Sequence, residues 1–436
     1  MKILLIANHP QDDTDSRSMA LFAEFLEREL SARGHEVRLL RPAARLWRRE
    51  LAGSWRGKWA KYVDQFLLSG PELRRAEDWA DVVHVCDHSN APLMSHLAGK
   101  PCVATCHDVI GLMRARGGYL EEKAGLLGQW LQTWTARNLR RADRIACVSR
   151  TVENQLTELL ELPIGQARTV YNGLNHPYRR REPAATDPLL AELGIPRDQA
   201  LVLHVGSDEW KKNRRRVAEI FVELKRRGLA GHLAFAGTPA GREIMDYLER
   251  RGCAAAVTHC GQLSAPQLEA LYSRAALFLF PSLYEGFGWP IIEAQACGAL
   301  VVTSNRDPMA EVAGGGALLI DPEDSADAVE RIARLTEAQK AELRRLGLEN
   351  ARRFDPATML EGYESLYHGL LRDPINPLEM EGRNGGELSE PRTEPNRKTH
   401  RSDSRLHPAL PLITAGSPEP AALPLRRGHR RAGSNR

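Results

Sequence analysis

The chain has 436 residues, of which 42% are hydrophobic and 27% are charged, and its formal net charge at pH 7 is +4. These values predict a soluble globular protein with two or more domains. A charge this small does not indicate nucleic-acid binding, and we expect no nucleic-acid partner. No stretch approaches the ~18 consecutive apolar residues of a membrane-spanning helix, so an integral membrane protein is not expected.

The N-terminus and the cysteines bear on where the protein works. The apolar start MKILLIA is followed at once by the polar NHPQDDTDS, which leaves too short a core for a secretory signal. Seven cysteines without regular spacing fit a reducing compartment. Cys102 and Cys106 have histidines nearby, but cysteines in or beside strand-like runs usually pack rather than bind metal. We predict a cytoplasmic protein; peripheral attachment to the inner face of a membrane stays open.

In chain order, short apolar runs alternate with helix-like segments almost from the first residue. The first series has a helix at 18–33 and strands at 2–7, 35–40, 81–86, 102–106, 144–149 and 167–172. A second series follows the polar, proline-containing stretch 176–198. Its strands are expected at 200–206, 232–237, 256–261, 276–281, 299–304 and 316–321. This alternation predicts an α/β protein with two doubly wound, Rossmann-like domains.

Local sequence signals indicate where one helix begins and where the folded region ends. Ser264 suits the N-cap of a helix in the second series, and Pro266 suits its first turn. A last helix is expected at about 356–371. Beyond it, 373–436 has little apolar periodicity and many Pro, Gly, Ser and Arg residues, which predicts a disordered basic tail.

The stretch PSLYEGFGWPIIEAQACG, at 281–298, places a glycine-rich loop between a buried strand and a helix. Ligands of parallel α/β sheets bind beyond the carboxyl ends of the strands. Pro290 fits the first turn of the helix, whose free N–H groups and partial positive charge attract anions. Gly286 and Gly288 allow close approach of the backbone, so the loop is a candidate phosphate site.

Two carboxylates flank this candidate phosphate site. Glu285 lies in the loop and Glu293 lies eight residues later in the helix. A carboxylate accepts two hydrogen bonds at once, and neighbouring sugar hydroxyls are natural donors. A phosphate between two sugar-binding acids describes a nucleotide diphosphate sugar, with Glu293 on the ribose and Glu285 on the sugar to be transferred.

The same stretch resembles the E-x7-E signature of retaining glycosyltransferases of the GT-B fold, in the fourth sequence family (glycosyl transferases group 1). Further resemblances occur in HVGSDEWKKN (204–213), YNGL (171–174), TCHDV (105–109), ADRIACVSRTVENQL (142–156) and AEVAGGGALLIDPED (310–324). The resemblance as a whole extends over roughly residues 1–371. The resemblance implies two Rossmann-like domains facing across a cleft, a nucleotide-sugar donor, retention of anomeric configuration by front-face attack, and no metal ion or organic cofactor.

Domain boundaries follow from the composition and from this resemblance. We predict an N-terminal acceptor-side domain at 1–178 and a C-terminal nucleotide-sugar-binding domain at 179–355. The helix at 356–372 would pack back toward the first domain, and the tail would occupy 373–436. The acceptor would be a glycan, a lipid-linked molecule or a small molecule, which the sequence does not distinguish.

Site residues are carried over onto the matching positions. Departure of the diphosphate requires stabilisation of developing negative charge, and Lys212, which follows a strand end, suits this role. His107 matches the family histidine that contacts the donor sugar. The expected catalytic residues are Glu285, His107 and Lys212. The expected donor-binding residues are Glu293, Gly286, Phe287, Gly288, Ser207, Lys211, Gly261 and Leu263. Acceptor or loop support is expected from Ser16, Arg17, Asp108 and Asn172.

Two positions depart from the family pattern. Many members have a Gly-Gly pair after the first strand, where this chain reads NHPQDDTDSRSM, so Ser16 and Arg17 would take over part of that role. Ser207 stands where some relatives have a phosphate-binding arginine. Lys212, together with Lys211, must then supply more of the positive charge.

The segment 45–68, RLWRRELAGSWRGKWAKYVDQFLL, interleaves tryptophans with arginines and lysines. This pattern suits a membrane interface. It equally suits an acceptor groove, or an amphipathic helix packed on the first domain.

Glycosyl transfer has alternatives on the same fold. A sugar-nucleotide epimerase and a non-catalytic nucleotide-sugar binder of the same fold stay open. An NAD dehydrogenase is disfavoured, because no G-x-G-x-x-G follows the first strand. The DTD triplet at 13–15 lies in a polar loop rather than directly after a strand, which argues against a metal site there.

Overall fold

The structure is a computed structural model and describes residues 1–8, 17–51, 54–97, 99–117 and 125–372, without the side chains of residues 17, 18, 49 and 58. The predicted tail at 373–436, the DTD triplet and Ser16 lie outside the described residues. Arg17 begins the first helix, but its side chain is among those not described.

The first of two sheets has six parallel strands in the order β2-β1-β3-β4-β5-β6. These strands are β1 (Lys2–Ile6), β2 (Glu36–Leu40), β3 (Val82–Val85), β4 (Cys102–Cys106), β5 (Arg144–Cys147) and β6 (Ala167–Thr169). The central strands β3 and β4 are buried throughout, as expected for apolar runs covered on both faces of a sheet. We call the elements around this sheet the first lobe.

The second sheet also has six parallel strands, in the order β12-β11-β10-β7-β8-β9. They are β7 (Leu201–Gly206), β8 (His232–Gly237), β9 (Val257–Gly261), β10 (Leu277–Phe280), β11 (Val301–Ser304) and β12 (Ala317–Ile320). The elements around this sheet form the second lobe. In both sheets the strand order reverses direction once, between β1 and β3 and between β7 and β10, as in doubly wound folds.

The helices connect the strands and cover both sheets. In the first lobe they are α1 (Arg17–Ala32), α2 (Trp55–Val63), α3 (Gly70–Trp79), α4 (Ile110–Ala115), α5 (Leu126–Leu139) and α6 (Arg150–Leu160). Next along the chain are α7 (Pro183–Glu192), α8 (Arg214–Arg226), α9 (Arg242–Arg250), α10 (Ala265–Arg274) and α11 (Trp289–Ala296). The last are α12 (Met309–Ala313), α13 (Ser325–Ala333), α14 (Glu337–Ala351) and α15 (Pro356–Arg372).

The structure confirms the predicted α/β class with two doubly wound parallel sheets. All twelve predicted strands are present, and Ser264 and Pro266 begin α10 as expected. The predicted strand at 167–172 ends early, at Thr169, because the chain then leaves the sheet toward the second lobe. There the N–H of Leu174 donates to the carbonyl oxygen of Phe354 at 3.0 Å.

Helix α15 follows the second lobe in sequence but lies against the first sheet. The hydroxyl of Tyr367 is 2.7 Å from Nδ1 of His84 on β3, and that of Tyr363 is 3.1 Å from Oγ1 of Thr105 on β4. All four side chains are buried. The last described helix therefore connects the two lobes through a buried polar network. Among the described helices, none has the length and apolar character needed to cross a lipid bilayer.

Candidate active site

The site begins at the reversal of strand order in the second sheet. Strands β7 and β10 are neighbours there, and the chain continues from them toward opposite edges of the sheet. Loops leaving such a pair of strands diverge and open a crevice at their carboxyl ends. Lys212 follows β7 and Glu285 follows β10, so both candidate catalytic residues belong to this crevice.

The structure brings these two side chains into direct contact. Nζ of Lys212 donates to Oε1 of Glu285 at 2.7 Å, and the side chains are only 14% and 10% exposed. The same ammonium lies 5.1 Å from the centre of the Phe280 ring. A cation and a carboxylate thus neutralise each other in a sheltered pocket beside the strand ends.

The two other candidates on the β7 loop are arranged differently. The ammonium of Lys211 pairs with Glu209 at 2.6 Å. Burial by itself lowers the pKa of Lys211, but this ion pair outweighs burial and the pKa is raised. The main-chain oxygen of Lys211 also accepts from the N–H of Leu283 at 2.8 Å, which joins the two loops of the crevice. Ser207 directly follows β7 and is partly exposed.

The loop after β10 leads directly into α11, as predicted. Gly288 has φ +103°, a left-handed conformation that favours glycine, and it precedes the first helical residue. Pro290 lies in the first turn. The side chain of Phe287 is buried against the rings of Trp289 and Phe354. Phe287 can therefore serve a ligand only through its main chain.

Gly286 is the point where this loop contacts the first lobe. A Cβ at Gly286 would overlap the carbonyl oxygen of His107 and lie 2.8 Å from its carbonyl carbon. The carbonyl oxygen of Gly286 accepts from the hydroxyl of Ser149 at 2.8 Å. The carboxyl ends of β4 and β5 thus meet the loop after β10, and the crevice lies between the lobes.

Glu293 lies on α11 and is 6% exposed. Its Oε2 accepts from the hydroxyl of Tyr272 on α10 at 2.8 Å. Burial raises the pKa of Glu293 to about 7, and the hydrogen bond from Tyr272 offsets only part of this effect. The carboxyl group is therefore partly protonated near neutral pH.

His107 follows β4 and faces this region from the first lobe. Its Nε2 is 2.9 Å from the carbonyl oxygen of Cys86, and its Nδ1 is buried without a hydrogen-bond partner in the described part of the chain. Burial lowers the pKa of His107, although Asp87 raises it in part. Because a carbonyl oxygen only accepts, Nε2 carries the proton and Nδ1 of the neutral ring is an acceptor.

The two first-lobe support residues have different surroundings. Oδ1 of Asp108 accepts from the N–H of Ile110 at 3.0 Å, which supports the start of α4. Asn172 is 1% exposed, and neither polar atom of its side chain has a hydrogen-bond partner among the described residues. Asp108 therefore contacts the main chain of the following loop, whereas Asn172 has no such contact among the described residues.

Gly261 and Leu263 lie at the end of β9, the edge strand of the second sheet, two strands away from β7. Gly261 has φ +64°, and apart from its chain neighbours no described residue has an atom within 4 Å of the position that a Cβ would take. This open edge is separated from the Lys212–Glu285 pair by the ends of β7 and β8.

Sequence analysis missed two residues of this region. Asp87 follows β3, and its carboxylate accepts from Nδ2 of Asn8 at 2.7 Å, at the reversal of strand order in the first sheet. Its position after a buried strand was a usable signal. Burial alone would raise the pKa of Asp87, but His88, His107 and two hydrogen bonds lower it. Tyr272, the partner of Glu293, had no sequence signal, since it lies on an amphipathic helix.

Two family models match successive parts of the chain. The model described as Glycosyltransferase Family 4 matches residues 20–176, and the model described as Glycosyl transferases group 1 matches residues 186–354. The chain belongs to glycosyltransferase family 4. The Lys212–Glu285 pair and Glu293 lie within the second match, and His107 lies within the first.

Named relatives match this chain over only part of their own length. O-antigen chain mannosyltransferase B of Escherichia coli is 30% identical over 190 residues, which are 43% of this chain and 50% of that protein. D-inositol 3-phosphate glycosyltransferase of Mycolicibacterium smegmatis is 26% identical over 240 residues, 53% of this chain and 54% of that protein. The chain spans about half the length of these two relatives.

Solved structures share the fold of this glycosyltransferase over most of its length. Sucrose-phosphate synthase from Thermosynechococcus elongatus superposes with a TM-score of 0.69 and 19% identity, over 85% of this chain and 99% of that one. Anabaena Alr3699/HepE in complex with UDP-glucose gives a TM-score of 0.65 and 16% identity, over 85% and 100% of the two chains. The predicted GT-B fold is confirmed.

Proposed function

We propose that this chain transfers a hexosyl group from a nucleotide diphosphate sugar to a hydroxyl acceptor, with retention of anomeric configuration and without a metal ion or organic cofactor. The observation that carries the proposal is the Lys212–Glu285 pair beside the N-terminus of α11, at the strand-order reversal of the second sheet. Membership of the family and the UDP-glucose complex of a structural neighbour support a nucleotide-sugar donor.

The ion pair gives this proposal a specific binding step. Glu285 pairs with the ammonium of Lys212 and neutralises it. A bound diphosphate would attract the ammonium, and the carboxylate would then accept hydrogen bonds from hydroxyls of the sugar. Glu293 would hold the ribose, and the N–H groups at Phe287 and Gly288 would face the phosphates. Lys211 is neutralised by Glu209, so we assign it a supporting role.

The chemical step would proceed by front-face attack. The bond between the anomeric carbon and the diphosphate oxygen breaks, and an acceptor hydroxyl oxygen forms a bond to the same face of that carbon. The hydroxyl proton passes to the departing phosphate oxygen. Lys212 and the N-terminus of α11 stabilise the negative charge that develops there. Nδ1 of neutral His107 would accept a hydrogen bond from a sugar hydroxyl.

Substitution of Glu285 tests the assignment of the site. We expect Glu285→Ala to lower transfer by roughly 100-fold or more, by analogy with loss of an electrostatic site group. Binding of the free nucleoside diphosphate should persist, because Lys212 no longer has a competing partner. The assay measures release of nucleoside diphosphate from UDP-, GDP- and ADP-linked sugars with a panel of acceptors. Glu243→Ala is the control, since that side chain is 84% exposed on α9.

The outcomes separate the competing functions. Transfer that persists in Glu285→Ala would contradict the proposed site. Epimerisation of the donor in the absence of any acceptor would favour a sugar-nucleotide epimerase. Donor binding without turnover across all acceptors would favour a binding protein.

The acceptor and the location are also proposals. We propose a glycan, lipid-linked or small-molecule acceptor bound at the carboxyl ends of the first sheet, where Asn8, Asp87 and His107 gather polar groups. We propose the cytoplasm as the compartment, because all seven cysteines are free thiols.

A further inference from the structure

Two helices of the first lobe expose large apolar side chains. Trp55 and Trp59 on α2 are 68% and 46% exposed, and Leu126 and Trp130 on α5 are 87% and 58% exposed. The members of each pair are four residues apart, so they lie on one face of their helix. Leu67, which follows α2, is 61% exposed. We call these five side chains the apolar face.

The two helices are joined by aromatic contacts beneath this face. A π-helical turn at Asp64–Leu68 continues α2, and the ring of Phe66 in it lies 5.4 Å from that of Trp134 on α5. The ring of Trp134 lies 5.3 Å from that of Trp130. The buried carboxylate of Asp64 accepts from the N–H groups of Leu46 and Trp47, which holds the preceding segment in place. The turn after α2 and helix α5 are therefore in contact through Phe66, Trp134 and Trp130.

The charges around the apolar face are mostly positive. Among the described side chains of segment 45–68, the basic ones are Arg45, Arg48, Arg56 and Lys61, and the acidic ones are Glu50 and Asp64. Asp64 is buried and already hydrogen-bonded, so it contributes little to the surface. Helix α5 contains no Asp or Glu, and Arg137 lies in its last turn.

We propose that the apolar face binds the surface of an anionic lipid bilayer. Tryptophan side chains favour the headgroup level of a membrane, and nearby lysines and arginines attract anionic lipids. The combination of exposed indole rings, exposed leucines and an excess of basic residues matches this partner in both polarity and charge. The inference concerns binding to lipid and does not depend on the proposed transfer reaction.

The apolar face is connected to the candidate acceptor region at two points. A Cβ at Gly111 of α4 would lie 3.0 Å from Nε2 of Gln132 on α5, and α4 begins three residues after His107. At the other helix, Gln65 donates to Asn90, which in turn donates to Asn8 at the end of β1. A bilayer bound at this face would border the carboxyl ends of the first sheet. If the proposed function holds, a lipid-linked acceptor is favoured among the three classes.

Sedimentation of the full-length protein with vesicles tests the proposal. We expect binding to vesicles that contain phosphatidylglycerol, weak binding to pure phosphatidylcholine, and loss of binding at high salt. Trp55→Ser combined with Trp59→Ser should lower the partition coefficient about tenfold, and Trp130→Ser should lower it in the same direction. Arg56→Gln should lower it about fivefold, as expected for one cation at an anionic surface.

Two controls distinguish binding through the apolar face from nonspecific adsorption of exposed apolar side chains. Ile164→Ser and Leu229→Ser remove exposed apolar side chains elsewhere, and both should bind vesicles as the unsubstituted protein does. Quenching of tryptophan fluorescence by brominated acyl chains should also fall in the Trp55/Trp59 and Trp130 variants. Thermal melting of every variant should stay unchanged, because the replaced side chains are exposed.

A further variant tests whether vesicle binding comes from the apolar face or from the basic end of the chain. It replaces Arg426, Arg427, Arg430 and Arg431 with Gln. Retained vesicle binding in this variant, with loss in the tryptophan variants, supports the proposal. Loss only in this variant overturns it, as does absence of vesicle binding by the unsubstituted protein. Capture of a protein partner by a face that binds no lipid would likewise overturn it.

Discussion

Glu293, for which we propose a ribose-binding role, lies in an environment that disfavours its charged form. Its carboxyl group is buried with Tyr272 as its hydrogen-bond donor, and burial raises its pKa from 4.5 to about 7. The native state therefore holds a proton that the unfolded chain has already lost between these two pH values. Stability contributed by this group is present below pH 4.5, falls as the pH rises to about 7, and stays low above it.

We expect Glu293→Gln to stabilise the protein at alkaline pH, because the amide is neutral at every pH and keeps an acceptor oxygen for Tyr272. A pKa change from 4.5 to about 7 corresponds to about 3 kcal/mol, an upper value for the gain in unfolding free energy at pH 8. At pH 4.5 the gain should be much smaller. Urea unfolding at both pH values measures the difference.

Tyr272→Phe is the matched control for this prediction. It removes the hydrogen bond that lowers the pKa of Glu293, so the fall of stability with pH should begin at the same point and extend to a higher pH. An equal effect of Glu293→Gln at both pH values would contradict a carboxyl group that is partly protonated near neutrality. Such a trade of stability for a site group is common at binding sites.

The loop between β10 and α11 contacts both lobes within a few residues. Glu285 pairs with Lys212 of the second lobe, and the adjacent Gly286 packs against the main chain of His107 from the first lobe. Gly288 then turns the chain into the helix with a positive φ. The glycines in this loop therefore allow close contact between the lobes, and they also leave room for a ligand to approach the main chain.

Gly286→Ala should push the loop after β10 away from the main chain of His107. The added methyl group would overlap the carbonyl oxygen of His107, which is main chain and has little room to move. We expect stability to fall by about 1–3 kcal/mol. We also expect transfer to fall by roughly 100-fold, because the neighbouring Glu285 is displaced. Thermal unfolding and steady-state turnover measure the two effects.

Gly369→Ala is the control for Gly286→Ala. Gly369 lies within α15, and in the described part of the chain no atom outside the adjacent residues and backbone of its own helix lies within 4 Å of the position of its Cβ. Alanine should raise stability there by up to about 1 kcal/mol, through helix propensity, and leave turnover unchanged. Normal melting and turnover of Gly286→Ala would show that the lobes have space at this contact, contrary to the geometry.

The two lobes are held together by polar contacts from Glu311 and by α15. Glu311 on α12 accepts from the N–H groups of Arg150 and Thr151, from Oγ1 of Thr151 and from the hydroxyl of Tyr171. Its carboxylate thus caps the N-terminus of α6 from the opposite lobe, where it also meets the positive end of the helix. Burial would raise the pKa of Glu311, but these hydrogen bonds outweigh it and lower the pKa.

Glu311→Ala should weaken the contact between the two lobes. The N–H groups of α6 lose their carboxylate partner, and we expect a loss of about 3 kcal/mol in unfolding free energy. Small-angle scattering should record a larger radius of gyration, which donor binding reduces if it closes the crevice. Glu330→Ala is the control, because Glu330 pairs with Arg227 within the second lobe. An unchanged radius of gyration in Glu311→Ala would contradict the capping role.

Much of the fold was predictable because its signals are local. Apolar runs of four to six residues, separated by amphipathic helices, indicate buried parallel strands wherever they occur. Part of the site was predictable for the same reason, since Glu285 and Lys212 each follow a strand. Their contact was not predictable from spacing, because they are 73 positions apart and meet only through the pairing of β7 with β10.

Other features depend on packing between distant segments. Asp87 could have been found by the rule that located Glu285, but its lowered pKa depends on His88 and His107 around it. The raised pKa of Glu293 depends on its burial beside Tyr272. No pattern of neighbouring residues in the sequence predicts that burial. The joining of α2 to α5 through Phe66 and Trp134 likewise required the tertiary structure.

The sequence by itself determined the α/β class, the approximate positions of the strands, the family and the placement of Glu285 and Lys212 after strand ends. These follow from periodicity, helix and turn propensities and a short signature, all of which act between neighbours in the chain. Only the tertiary structure decided which charges pair, which carboxyl group keeps its proton and which loop contacts the other lobe. Those properties arise from desolvation and from contacts between residues far apart in sequence, and both exist only once the chain has folded.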